Sequence, residues 1–125
     1  MSPLPELATA RYLLLTTYRR DGTPVATPVW VTRLDGALGV WTAPEAGKVK
    51  RIRRNPAVLV ATCDLRGRTA GTAHPGRAEL LDAAGVDQLL RQLRGKYGLA
   101  GRLTLLASRL RGRLSRAAGI RIVLD

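Results

Sequence analysis

The chain has 125 residues, 46% of them hydrophobic and 24% charged, which is the balance of a single soluble domain spanning 1–125. Its net charge of +12 implies anionic company, and its lone cysteine, Cys63, excludes an internal disulfide framework. No apolar run is long enough to cross a bilayer, and MSPLPELATA lacks a basic-then-apolar leader pattern, so a cytoplasmic protein without a transmembrane segment is expected.

Aromatic residues make up 4% of the chain and Phe is missing, so Leu, Val, Ile and Ala must fill the core. Glu6 to Ala10 reads as a short helical lead-in. RYLLLTTYR, from Arg11 to Arg19, is apolar or β-branched almost throughout, as a strand covered on both faces would be. RDGTP turns the chain through Asp21, Gly22 and Pro24. A second strand is predicted from Val25 to Leu34, with Val25, Val29 and Val31 on one face and Trp30 on the other. Pro28 assigns it to an edge or a bulge, because proline has no N–H for the ladder. Asp35-Gly36 is a hairpin signal leading into a third strand, ALGVWTA.

Ala46 to Asn55 is predicted as a short helix stopped by Pro56, with Val49 and Ile52 as its buried stripe and Lys50, Arg51 and Arg54 turned to water. A fourth strand runs from Ala57 to Asp64. A fifth runs from about Thr69 to Leu81, with a bulge at His74, Pro75 and Gly76. Two helices follow. The first carries Val86, Leu89, Leu90, Leu93 and Tyr97 at helical spacing. The second, from about Ala100 to Arg113, carries Leu103, Leu106, Leu110 and Leu114 beside a stripe of Arg102, Arg109, Arg113 and Arg116. GIRIVLD closes the chain as a sixth strand. Meandering strands with short inserted helices favour a small antiparallel barrel over regular βαβ alternation.

Five of the ten residues in GKVKRIRRNP, from Gly47 to Pro56, are Lys or Arg. A sequence-tolerant nucleic-acid groove interleaves basic residues with stacking aromatics, and from this helix to Gly71 there are none. Most of the charge is therefore assigned to a solvated helix face, and no specific nucleic-acid partner is expected. Lys48 differs, because it sits in the first helical turn, where free N–H groups and the helix dipole already favour an anion. No catalytic side-chain constellation and no metal-ligand set is visible. His74 beside Pro and Gly reads as a loop residue, Cys63 as a small core residue, and Trp30 and Trp41 as core or dimer contacts.

DGTPVATPVWV, then ALGVWTA, then GKVKRIRRNP resembles the split β-barrel family of pyridoxamine 5′-phosphate oxidase, and within it the branch of deazaflavin-dependent enzymes that use coenzyme F420. The likeness covers about Arg11 to Asp82. It implies an α+β split β-barrel of about six mainly antiparallel strands with short peripheral helices, paired as a homodimer with cofactor clefts between subunits. It implies an oxidoreductase in which F420 serves a small unsaturated or conjugated substrate. The phosphate would be held by Lys48, Lys50 and the backbone at Gly47, the ring cleft would be lined by the strand from Val25 to Val31, with Val29, Trp30 and Val31, and Thr42 would be a further cofactor-binding residue. The FMN-using oxidases of the family carry an Arg and a Lys on the second strand where this chain has Thr27 and Thr32, which favours F420 and leaves FMN as the alternative. A non-catalytic cofactor carrier and a basic nucleic-acid-binding module are the remaining alternatives.

Overall fold

A computed structural model describes residues 2–42, 47–69, 71–111 and 118–125, with the side chains of 98–111 excepted. Seven strands form one antiparallel sheet: β1 (Tyr12–Tyr18), β2 (Pro24–Val29), β3 (Val31–Leu34), β4 (Ala37–Thr42), β5 (Ala57–Cys63), β6 (His74–Leu80) and β7 (Ala118–Leu124). Among the described residues three helices accompany them: α1 (Leu4–Thr9), α2 (Gly47–Arg54) and α3 (Ala83–Arg111).

The order across the sheet is β2-β1-β5-β6-β7-β4-β3. β2 and β3 therefore lie at opposite edges, although only Trp30 separates them in the chain. A sheet whose edges are joined by one residue has to curl until those edges meet. The result is the split β-barrel implied by the sequence, with seven strands rather than about six. The extra strand arises because the predicted Val25–Leu34 strand breaks at Trp30 and its halves pair with different neighbours, Val29 with Leu13 and Val31 with Val40.

β1 alternates between half-buried and buried positions, and Leu13, Leu15 and Thr17 point into the curl. Leu13, Leu15, Val31, Leu38, Val40, Val60, Ile120 and Ile122 form the centre of the core, all at most 1% exposed. Pro28 lies on the edge strand β2, as its missing N–H requires. The Asp35-Gly36 turn closes a two-residue hairpin in which Asp35 adopts φ +55°, and Gly22 takes φ +91° in the turn before β2.

Two further expectations are corrected. His74, Pro75 and Gly76 do not interrupt a strand; they begin β6, paired in register with Val60, Leu59 and Val58. Only an isolated bridge between Cys63 and Thr69 precedes them. The two predicted C-terminal helices are one continuous α3. Gly95, Gly98 and Gly101 do not end it, because a helical glycine costs only about 1 kcal/mol relative to alanine, and no proline enforces a stop. The leucine and arginine stripes placed on the second of those helices lie outside the described side chains.

α3 packs over β3, β4 and β7, where glycines let it approach closely. A Cβ at Gly39 would stand 2.7 Å from Leu89 Cδ1, and one at Gly119 would stand 2.9 Å from Leu81 Cδ1 and 3.1 Å from Leu89 Cδ2. α2 lies against β1 and β6, with Val49 and Ile52 buried as predicted.

Candidate phosphate-binding site

α2 has three kinds of surface. Val49 and Ile52 are buried, Lys48 and Arg51 flank them on one side, and Lys50 and Arg53 flank them on the other. Lys48 and Arg51 are three residues apart, so they lie in one row on the helix. Both are partly buried, whereas Lys50, Arg53 and Arg54 are exposed.

The Lys48 ammonium lies 3.4 Å from the hydroxyl of Thr42, which points inward from the end of β4. Arg51 donates from Nε to the Thr17 hydroxyl at 2.6 Å, and Thr17 is 1% exposed at the end of β1. A guanidinium has five N–H donors, so this bond fixes its position and leaves its outer donors for a ligand. Gly47 leaves room for that placement, because a Cβ there would lie 2.7 Å from Arg51 Nη1.

Among the described residues the ion pairs are Arg68–Asp64 and Arg121–Glu79, and neither touches this pair of cations. Burial first, and the neighbouring Arg51 charge second, lower the pKa of Lys48 below the ordinary lysine value. Burial, then Arg19 and Arg54, act on Arg51 in the same direction, which places Arg19 in the same positive field. Two cations held side by side on hydroxyl groups, with no carboxylate between them among the described residues, suit the oxyanion of a phosphate mono- or diester. A phosphate-bearing cofactor fits the donors present.

Of the residues expected at the site, the fold brings Gly47, Lys48 and Thr42 together. Lys50 stands on the other flank of α2, away from Lys48. Val31 is fully buried and Val29 is 9% exposed, so both pack in the core. Trp30 is half-buried at the β2–β3 corner and stacked on Tyr97, with ring centroids 4.4 Å apart and planes 10° from parallel. Arg51 had been assigned to water; its bond to Thr17 corrects that. The available signal was its spacing of three from Lys48, on the shoulder of the buried stripe. Thr17 carried no such signal, because its partner is 34 residues away.

The remaining reactive candidates are quiet. Burial and the adjacent Asp64 raise the pKa of Cys63, so the thiol stays protonated at neutral pH. His74 is a half-buried strand residue.

A family model described as pyridoxamine 5′-phosphate oxidase matches residues 5–117. The chain belongs to the pyridoxamine 5′-phosphate oxidase family. Solved structures share its fold at low identity. A conserved hypothetical protein of Mycobacterium tuberculosis is 22% identical with a TM-score of 0.73, over 96% of this chain and 77% of that one. The heme storage protein HutZ of Vibrio cholerae is 16% identical with a TM-score of 0.70, over 97% and 87%. A protein described as an F420 reductase is 18% identical with a TM-score of 0.59, over 100% and 95%. No curated protein matches the chain. Among the described residues, no helix of this family member is long and apolar enough to cross a membrane.

Proposed function

We propose that this chain is an oxidoreductase of the pyridoxamine 5′-phosphate oxidase family that binds F420 and reduces a small unsaturated or conjugated compound. The observation that carries this reading is the Lys48–Arg51 pair, partly buried and without an acidic partner among the described residues. The two cations would bind the cofactor phosphate, with Thr42 and Thr17 orienting them. When bound, reduced F420 supplies the hydride, so the chain's own work is to bind, orient and exclude water. No side chain is assigned a catalytic role.

Two features favour F420 over FMN. Thr27 faces into the curl opposite Leu15, and Thr32 is 5% exposed on β3, so neither adds positive charge where FMN-using relatives carry it. The net charge of +12 also suits a cofactor with a phosphodiester and an oligoglutamate tail. A homodimer is part of the proposal, because β2 ends the sheet and leaves Pro24, Ala26 and Pro28 exposed. A cytoplasmic location accords with it.

Titration of the purified protein with F420 and FMN separately, each followed by its own fluorescence, tests the reading. Saturable F420 binding with weak FMN binding is expected. Binding of FMN alone would transfer the proposal to an FMN-dependent oxidase or reductase, and binding of neither would end it.

A further inference from the structure

Lys96 donates to the carbonyl oxygens of Ala8 at 2.8 Å, Ala10 at 2.6 Å and Val31 at 2.6 Å. An ammonium has three N–H donors, and here main-chain oxygens take all three. The acceptors come from the last turn of α1, the link into β1 and the first residue of β3. Tyr97 repeats the connection one residue later. Its hydroxyl accepts from the Val31 N–H at 3.1 Å and donates to the Arg11 carbonyl at 2.8 Å, with the Val31 carbonyl 3.2 Å away. Its ring covers Trp30 and lies 5.1 Å from the Lys96 ammonium.

Trp30 needs such support. It is the one residue between β2 and β3, and no ladder partner on either edge holds it. We propose that Lys96 and Tyr97 are positioning residues, whose ammonium and hydroxyl pin the β2–β3 corner and so set the orientation of the Trp30 indole. That the oriented indole serves cofactor binding rests on the proposed function; the pinning of the corner does not.

The ionisable groups facing this corner are Arg33, which lines with Lys96 and Gln92 a groove of about 490 Å³, Tyr97 beside Lys96, and Arg11 and Tyr12, whose charges act on Tyr97. Glu6 of α1 is exposed, and no ion pair to Lys96 forms among the described residues. Burial lowers the pKa of Lys96 to about 8. A neutral amine has two N–H groups for three carbonyls, so deprotonation surrenders one of the three attachments.

The test uses the Trp41→Phe protein, in which Trp30 is the single tryptophan, without cofactor. Its near-ultraviolet circular dichroism should change with a midpoint near pH 8. Lys96→Met should abolish both the change and the pH 7 signal. Lys96→Ala should regain the signal in ammonium or methylammonium chloride, but not in tetramethylammonium chloride, which has no N–H. A Lys96→Met protein that keeps the parent signal, or that titrates as the parent does, overturns the proposal. If Lys96→Met fails to fold by far-ultraviolet dichroism, the parent titration and Tyr97→Phe decide. A flat parent titration together with an unchanged Trp30 signal in Tyr97→Phe then overturns it. F420 and FMN titrated into Lys96→Met should bind several-fold more weakly than to the parent. An altered Trp30 signal with unchanged affinity for both overturns the link to the cofactor.

Discussion

Lys48 and Arg51 carry their charges part-way into the protein, each steered by a threonine: Thr42 lies six residues from Lys48, but Thr17 lies 34 residues from Arg51, a distance that hides it in the sequence. Thr17→Val keeps the volume but removes the hydroxyl that fixes Arg51. A hydrogen bond to a charged group contributes on the order of 1.5–3 kcal/mol, some of which Arg51 recovers from water on its open side. Thr17→Val should therefore weaken cofactor binding several-fold, as read by fluorescence titration, with far-ultraviolet dichroism unchanged. Lys48 also gives a pH signature. Its pKa is lowered, chiefly by burial, and a bound phosphate would favour the charged form and raise it again. Binding in the alkaline range therefore takes up a proton, and affinity should fall as pH rises toward the ordinary lysine range. Lys48→Arg, whose guanidinium stays charged, should flatten that profile in titrations at several pH values.

At the scale of elements, α3 sits on β4 and β7 because Gly39 and Gly119 have no side chain to hold it off. Gly119→Ala would place a methyl 2.9 Å from Leu81 Cδ1, 3.1 Å from Leu89 Cδ2 and 3.2 Å from Val86 Cγ2. Overpacking of this kind typically costs about 1–3 kcal/mol, so urea denaturation should show a lower midpoint with an unchanged slope. Lys96 adds a pH term to stability. Its folded pKa of about 8 is below the unfolded value of 10.5, so between these values the unfolded chain binds more protons. Its contribution should make the fold more stable as pH rises through that window, and Lys96→Met should remove the slope. The elements were largely legible in the sequence. The stripe of Val49 and Ile52, the Asp35-Gly36 turn and the edge position of Pro28 all follow from local chemistry. The break at Trp30 was not, because each half of one β-prone segment pairs with its own neighbour, β1 or β4, and only the order of the whole sheet sets those neighbours at opposite ends. The continuity of α3 was missed as well: no proline interrupts 83–111, and the glycines within it cost too little to end a helix.

At the scale of the whole molecule, the curl of the sheet brings the ends of β1 and β4 near α2, and this turns a basic run into a divided surface. The division was legible only in part. Lys48 was marked by its place in the first helical turn, but whether Lys50 or Arg51 accompanied it depended on which flank of α2 meets β1. Among the described residues the remaining basic side chains other than Lys96 and Arg121 are exposed, which supports weak and unspecific attraction to polyanions. Affinity for duplex DNA should fall log-linearly with salt and vanish near physiological ionic strength in fluorescence anisotropy. Tight binding that survives such salt would favour a nucleic-acid role. Sedimentation at micromolar concentration should show a dimer, and a monomer with cofactor still bound would refute the subunit arrangement proposed for the cleft.

The central claim is that Lys48 and Arg51, rather than the basic run as a whole, grip the cofactor phosphate. Its most direct test is F420 titration of Lys48→Ala, Arg51→Ala and Arg54→Ala at two salt concentrations, with circular dichroism confirming the fold. Loss of a charge-assisted bond of on the order of 1.5–3 kcal/mol should weaken binding by roughly ten- to a hundredfold in each of the first two variants. Arg54→Ala, on an exposed face, should differ from the parent by no more than the added salt can screen. Equal losses in all three variants, shrinking together at the higher salt, would mean a diffuse attraction and would contradict the claim.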